Sequence, residues 1–172
     1  IGGNDIGFSS IASACVSLTS TQGHPCQDKF VVGGVDEISA RIQATGPKVA
    51  AVLQGIHARS PLARALVIPY ITIVPSGSPL LCWPQLPIAY DDIPYLHAKQ
   101  AELNAMLATQ AVTNGAEYVD VYGPSDGHDS CQPPGLRWVE PLVPLNLAAP
   151  LHPNAIGMLA VASIIEQTLT AS

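Results

Sequence analysis

Two short stretches at opposite ends of the sequence carry residue types that can do chemistry. The first is Gly2-Gly3-Asn4-Asp5. It is placed where a strand ending at Ile1 would have just finished, and ligands in open α/β sheets bind at the carboxyl ends of strands. A neutral asparagine there can offer its side-chain N–H to an oxygen that is becoming negative, and the glycines let backbone and substrate come close. The same residues also suit an ordinary strand-to-loop turn with the asparagine left-handed. The second stretch is Leu151-His152-Pro153-Asn154, directly before an apolar run. A histidine held at a helix start and pinned by a proline is placed to act as a general base, with an ordinary pKa of ~6.5. Its bland counterpart is a histidine that merely caps the helix.

The elements between must bring these ends together. Residues 35–44 repeat Val35, Ile38 and Ile42 at helical spacing. Residues 45–47 then read as a second helix start, with Pro47 in the first turn, an apolar face of Val49, Val52, Leu53 and Ile56, and Pro61 as its end. Residues 64–70 read as a strand, 71–87 as a long proline-rich loop, 95–115 as a strong helix closed by Asn114-Gly115, and 116–123 as another strand. A loop over 124–150 leads to a last helix over 152–169, with Ile156, Leu159, Val161 and Ile164 among its apolar positions. Residues 1–34 read as loop. Strands alternating with helices predict a parallel sheet covered on both faces, in a single domain spanning 1–172. So few strands rarely stand alone, which predicts the back portion of a larger α/β domain.

Composition excludes several classes. Hydrophobic residues make up 48%, and 7 Lys+Arg stand against 13 Asp+Glu, for a net charge of −6. That balance argues against nucleic acid and anionic membrane surfaces as partners. No apolar run approaches the ~18 residues of a transmembrane span. Four cysteines beside 16 prolines suit an exported, disulfide-bonded protein. Of the three possible pairings, Cys15–Cys26 with Cys82–Cys131 is favoured, since the first closes a local loop and the second ties two late loops. Zinc is the rival, prompted by His24-Pro25-Cys26 and His128-Asp129-Ser130-Cys131. Paired short Cys/His spacings of the zinc type are absent, so no metal and no cofactor is expected.

Taken together, Gly2-x-Asn4-Asp5 and His152-Pro153 resemble the SGNH hydrolases, the GDSL family of esterases and lipases. The stretches "ALVIPYITIVP", "SDGHDSCQPPGLRWVEP" and "HPNAIGMLAVA" look like parts of secreted actinobacterial members. The resemblance implies a three-layer α/β/α fold of flavodoxin-like type and hydrolysis of carboxylic esters by a serine. It makes His152 the base and Asn4 an oxyanion donor, with Gly2 and Asp5 shaping the turn. Members with disulfides in similar places support the favoured pairing. The expected substrate is a small or lipid ester, in a pocket walled by loops 6–34 and 71–94, and the expected location is extracellular or in the cell envelope. The alternatives are a carbohydrate acetyl-esterase on the same fold, or a non-catalytic, degenerate hydrolase fragment.

The sequence departs from that pattern in three places. No Gly-Asp-Ser occurs in the 172 residues, and Asp129-Ser130 is a poor substitute in a late loop. The nucleophile is therefore expected in a segment upstream of Ile1: a cleaved piece still docked, part of a longer chain, or lost by truncation. The family's usual aspartate, three residues before the histidine, is Ala149 here. A backbone carbonyl of Ala149 or Pro150 is expected to orient His152 instead, in preference to Asp126, Asp129 or Glu140. Pro69-Tyr70-Ile71 stands where relatives have Gly-Tyr-Pro, which leaves the local turn shape open. His24, His57, His97 and His128 read as structural or solvated, with His128 an alternative lining of the cleft mouth.

Overall fold

The computed structural model describes residues 1–18, 21–77 and 82–171. In chain order the elements are α1 (Phe8–Cys15), α2 (Gln27–Phe30), β1 (Val31–Val32), β2 (Val35–Asp36), α3 (Glu37–Arg59), β3 (Leu66–Val67), α4 (Ile93–Thr113), β4 (Glu117–Tyr118) and α5 (Ala155–Thr170). Short 3-10 turns lie at Tyr90–Asp92 and Gly123–Ser125. β3 and β4 pair in parallel, Leu66 opposite Glu117 and Val67 opposite Tyr118, with α4 as their crossover. Helices α3 and α4 pack on each other beside this pair.

The region 1–34 is not the loop its composition suggests. It contains α1 and α2, and β1 forms a hairpin with β2 through Gly33 and Gly34, whose φ values of 60° and 80° suit the tight turn. Helix α1 buries Ile11 and Cys15, an i, i+4 pair set among small residues that mute the apolar signal. The Cys15–Cys26 disulfide joins the end of α1 to the start of α2, and Cys82–Cys131 joins the two late loops. All four cysteines are consumed, which overturns the zinc alternative.

Residues 45–47 are the middle of α3, not the start of a helix. Asp36 caps the whole helix, its Oδ1 accepting from Ile38 N and Ser39 N at 3.0 and 3.1 Å. Ile38, Ile42, Val49 and Leu53 bury a stripe that runs unbroken past Pro47. Each such side chain is worth about 1.5–3 kcal/mol on burial. Together they outweigh the roughly 3 kcal/mol that an interior proline costs. Gly46 lies against Met106 and Gln110 of α4. Val35 sits in β2, and Val35, Val52, Ile56 and Val112 are exposed rather than on buried helix faces. The end of α4 follows expectation: Asn114 caps it and Gly115 takes φ 70°.

Helix α5 begins at Ala155, two residues after the proline expected at its start. Its cap is Asn154, whose Oδ1 accepts from Gly157 N at 3.0 Å, so His152 is not the capping residue. Val161, Ile164 and Ile165 pack partly on the core, whereas Ile156 and Leu159 are 45% and 72% exposed. The reason lies at the contact point. α5 seats on the preceding loop through Gly157, where a Cβ would collide with the Trp138 carbonyl oxygen and lie 2.9 Å from Trp138 Cβ. Among the described residues, no helix is long and apolar enough to cross a membrane.

Replacing Gly157 by alanine sets two effects against each other. Helix propensity favours alanine by about 1 kcal/mol. The Trp138 backbone cannot yield as a flexible side chain would, and overpacking typically costs about 1–3 kcal/mol. Gly157→Ala is therefore expected to lower the urea midpoint, with an unchanged m-value; a raised midpoint would show that α5 is not seated this way.

Candidate active site

The N-terminal stretch folds into a turn closed by its own backbone. Ile6 N donates to Gly2 O at 3.1 Å, Gly7 N to Asn4 O at 3.1 Å, and Phe8 N to Gly3 O at 2.9 Å. Gly2 takes φ 94°, a conformation that a side chain would strain. Asp5 faces Lys48 of α3 at 3.6 Å, an exposed pair of small worth. Arg41 of α3 donates to Ile6 O at 3.0 Å and adds a second tether. Asn4 is left exposed at the tip of this turn. Tyr70 reaches in from beyond β3: its Oη accepts from Gly3 N at 2.9 Å and donates to Ile1 O at 3.0 Å.

The histidine stretch is held by a buried ion pair. Arg137 and Glu140, 3% and 0% exposed, pair through two hydrogen bonds of 3.1 and 3.0 Å. The Glu140 carboxylate also accepts from Leu145 N, Asn146 N, Asn146 Nδ2 and Asn154 Nδ2 at 2.8–3.1 Å. Burial alone would raise its pKa. The side chains of Asn146 and Asn154, with the two backbone donors, outweigh burial and hold the carboxyl at about 2. The Glu140 backbone then pins the histidine segment directly: Glu140 N donates to His152 O and Leu151 N to Glu140 O, each at 3.0 Å.

Within that segment Leu151 has φ 59°, a left-handed conformation rare for a branched side chain. This turn brings His152 Nδ1 within 2.8 Å of Pro150 O. The carbonyl of Ala149 accepts the His152 backbone N–H instead, at 3.1 Å. Of the carboxylates weighed as orienting acids, Glu140 is committed to its own network. Asp129 accepts from Cys131 N and Gln132 Nε2, and Asp126 is exposed at the end of the Gly123–Ser125 turn.

Both stretches open onto one cavity of ≈ 230 Å³. Asn4 and His152 line it, with Gly3 and Tyr70. The remaining wall is mainly aliphatic, including Ile11, Ile73, Val74, Leu86 and Leu103. Its walls come partly from the two segments expected, 6–34 and 71–94, the first of them through α1 rather than a loop; α3 and α4 contribute as well, through Ile38 and Leu96. Lys99 also borders it, but its ammonium is occupied by Asp36 and Glu102 at 2.9 and 2.8 Å.

Ser130 is not in this cavity: it is buried, and its Oγ donates to Ile73 O at 2.7 Å, so it anchors a loop. His128 stacks on Trp138 at 4.4 Å and does not line the cavity. His97 bridges Val74 O and Tyr122 Oη at 2.9 and 3.1 Å. His57 lies on α3 and His24 is exposed. Sequence reasoning missed Asn104, Gln100 and Arg137, and named Tyr70 and Glu140 without the contacts they make here. Gln100 and Asn104 did leave a signal: they fall on the same stripe of α4 as Leu103 and Leu107, and polar residues on a buried face need partners.

The sequence profile described as the GDSL-like Lipase/Acylhydrolase family matches residues 1–160. "Lipase 2" of Streptomyces coelicolor is 42% identical over 161 residues, which cover 91% of this chain and 54% of that protein. "Lipase 1" of the same organism is 26% identical over 158 residues, covering 91% and 53%. The chain thus spans about half the length of the curated relatives it matches. Among solved structures, phospholipase A1 from Streptomyces albidoflavus NA297 superposes with a TM-score of 0.78 at 21% identity, over 97% of this chain and 66% of that one. An extracellular lipase from Streptomyces rimosus gives 0.73 at 24% identity, with the same coverage. At those identities the likeness establishes the shared α/β fold.

The Glu140 network makes a pH prediction. A carboxyl held at about 2 in the folded chain, against 4.5 ordinarily, adds stability that is complete above the ordinary value. That stability is lost as pH falls through the folded value. Urea unfolding from pH 7 down to 2 should show it, and Glu140→Gln should flatten the acid part of the curve. At pH 7 the same variant, which strands a buried Arg137, should lose about 3 kcal/mol.

Proposed function

This chain belongs to the GDSL-like lipase/acylhydrolase family, and we propose that it supplies the general base and one oxyanion donor of a serine ester hydrolase. The observation that carries the reading is that Asn4 and His152, from opposite ends of the sequence, line one apolar cavity. The nucleophilic serine is assigned to a segment preceding residue 1 in the full-length enzyme, because these residues hold no Gly-Asp-Ser.

In this mechanism the serine oxygen attacks the acyl carbon while His152 Nε2 takes the hydroxyl proton. The Nδ1–H of the same ring donates to Pro150 O, which fixes the tautomer that leaves Nε2 as acceptor. Negative charge collects on the former carbonyl oxygen, and the Asn4 side-chain N–H donates to it. The bond to the leaving alcohol breaks, and His152 returns the proton to that alcohol. Water then repeats the sequence in the opposite sense: His152 takes its proton, its oxygen bonds the acyl carbon, and the serine leaves reprotonated. A neutral carbonyl orients the imidazole but stabilises imidazolium less than a carboxylate would.

The aliphatic wall supports an acyl chain as the group bound, in keeping with relatives named lipases. Two disulfides suit an oxidising compartment, and export is part of the same proposal.

The test uses the full-length protein and p-nitrophenyl esters. His152→Ala should lower kcat by at least about 10⁴-fold. Asn4→Ala should lower it by about 10²–10³-fold with little change in KM. With soluble esters, kcat/KM should rise about fourfold per added methylene until the cavity fills, the equivalent of ~0.8 kcal/mol each. A fluorophosphonate should label a serine outside this sequence. Labelling of Ser9, which also lines the cavity, would refute the assigned nucleophile.

A further inference from the structure

We infer that Tyr70 is a positioning residue for the Asn4 turn, acting through its hydroxyl; this rests on the reading of Asn4 as an oxyanion donor. Four observations support it. The Tyr70 hydroxyl is the hinge between the start of the chain and the sheet, accepting from Gly3 N and donating to Ile1 O at 2.9 and 3.0 Å. Gly3 immediately precedes Asn4, so this pair of bonds brackets the entry to the turn. A Cβ at Gly3 would lie 2.7 Å from the Tyr70 hydroxyl and 3.0 Å from its ring carbon, so the fit leaves no room for another side chain. Tyr70 is itself fixed: Asn104, 3% exposed on α4, accepts from Tyr70 N at 3.0 Å and donates to Tyr70 O at 2.8 Å.

The chain of contacts therefore runs from a rigid helix, through both backbone polar groups of one residue, along its ring, to the residue next to Asn4. Oxyanion stabilisation depends on donors held in place before charge develops. The turn's own hydrogen bonds fix its internal shape. Those from Tyr70 fix where the turn stands relative to α4 and the cavity. Tyr70 does not need to touch the reacting atoms, and its one hydroxyl proton is already committed to Ile1 O.

The inference has a kinetic signature that a merely structural role lacks. In the full-length enzyme, Tyr70→Phe should lower kcat roughly 10- to 100-fold, the scale of a small misplacement. KM should stay within about twofold, as for an interaction felt only in the transition state. Combined with Asn4→Ala, Tyr70→Phe should change kcat by less than about twofold, because the donor it positions is gone. Gly3→Ala, which displaces the hydroxyl while keeping the tyrosine, provides a second variant and should show the same loss and the same non-additivity. An equal loss from Tyr70→Phe in the presence and absence of Asn4 would overturn the inference while leaving the oxyanion reading intact. So would unchanged kcat in Tyr70→Phe. Full activity in Asn4→Ala alone would instead overturn the reading beneath it.

Discussion

The site depends on how one extended segment, residues 70–74, satisfies its backbone away from a strand ladder. Buried N–H and C=O groups must be paired, and β3 has ended by Val67. Side chains take over. Asn104 holds both polar groups of Tyr70, Gln100 holds Ile71 O and Ile73 N at 2.6 and 3.0 Å, and Ser125 Oγ accepts from Thr72 N at 2.7 Å. Ser130 donates twice to Ile73 O, and His97 holds Val74 O. The wall of the cavity is thus a strand continued by amides and hydroxyls. These partners are discrete and directional, so the segment has one register, and Ile73 and Val74 face the cavity reproducibly.

The two ends that meet at the cavity are held by different physics. The Asn4 turn takes its internal shape locally, from backbone bonds within one turn and a glycine conformation, and is tethered from outside by the neutral Tyr70 hydroxyl and by Arg41. The His152 segment is held at a distance by an ion pair removed from water. Such a pair repays its desolvation only when its remaining donors and acceptors are satisfied, and Glu140 accepts from four further N–H groups besides Arg137. The carboxylate absent three residues before His152 is therefore matched by one that acts on the backbone of the same loop, without touching the ring.

What the sequence disclosed follows the range of each interaction. Helix α4, its Asn114-Gly115 end and the parallel β3–β4 pair rest on local periodicity and capping, and were legible. Asn4 and His152 stood out only as a pair, through the resemblance their two stretches carry together, and the structure brings both to one cavity. The continuation of α3 through Pro47 was not legible. The penalty of a proline is local and visible, whereas the burial that outweighs it lies on α4 and appears only on packing. The contacts of Tyr70 were hidden for the same reason: its partners Gly3 and Asn104 lie 67 and 34 positions away. Ile156 and Leu159 are exposed on a helix that is apolar on several sides, and composition alone does not say which side of such a helix is covered.

The orientation of His152 ties these threads together. A carbonyl two residues earlier can reach Nδ1 only if the chain doubles back between them, and Leu151 does so at φ 59°. For a residue with a Cβ that conformation costs roughly 1–2 kcal/mol. Glycine would adopt it freely but would leave the chain free to leave it as well. Leucine is held there by two groups of different origin: its N–H is bound to Glu140 O, and its side chain is 9% exposed at the cavity wall. The strain is thus maintained by the buried ion-pair loop on one side and the apolar cavity on the other. In the proposed mechanism a tautomer usually set by an aspartate is set here by backbone geometry, and the acid that makes this geometry stable is Glu140, acting one step removed.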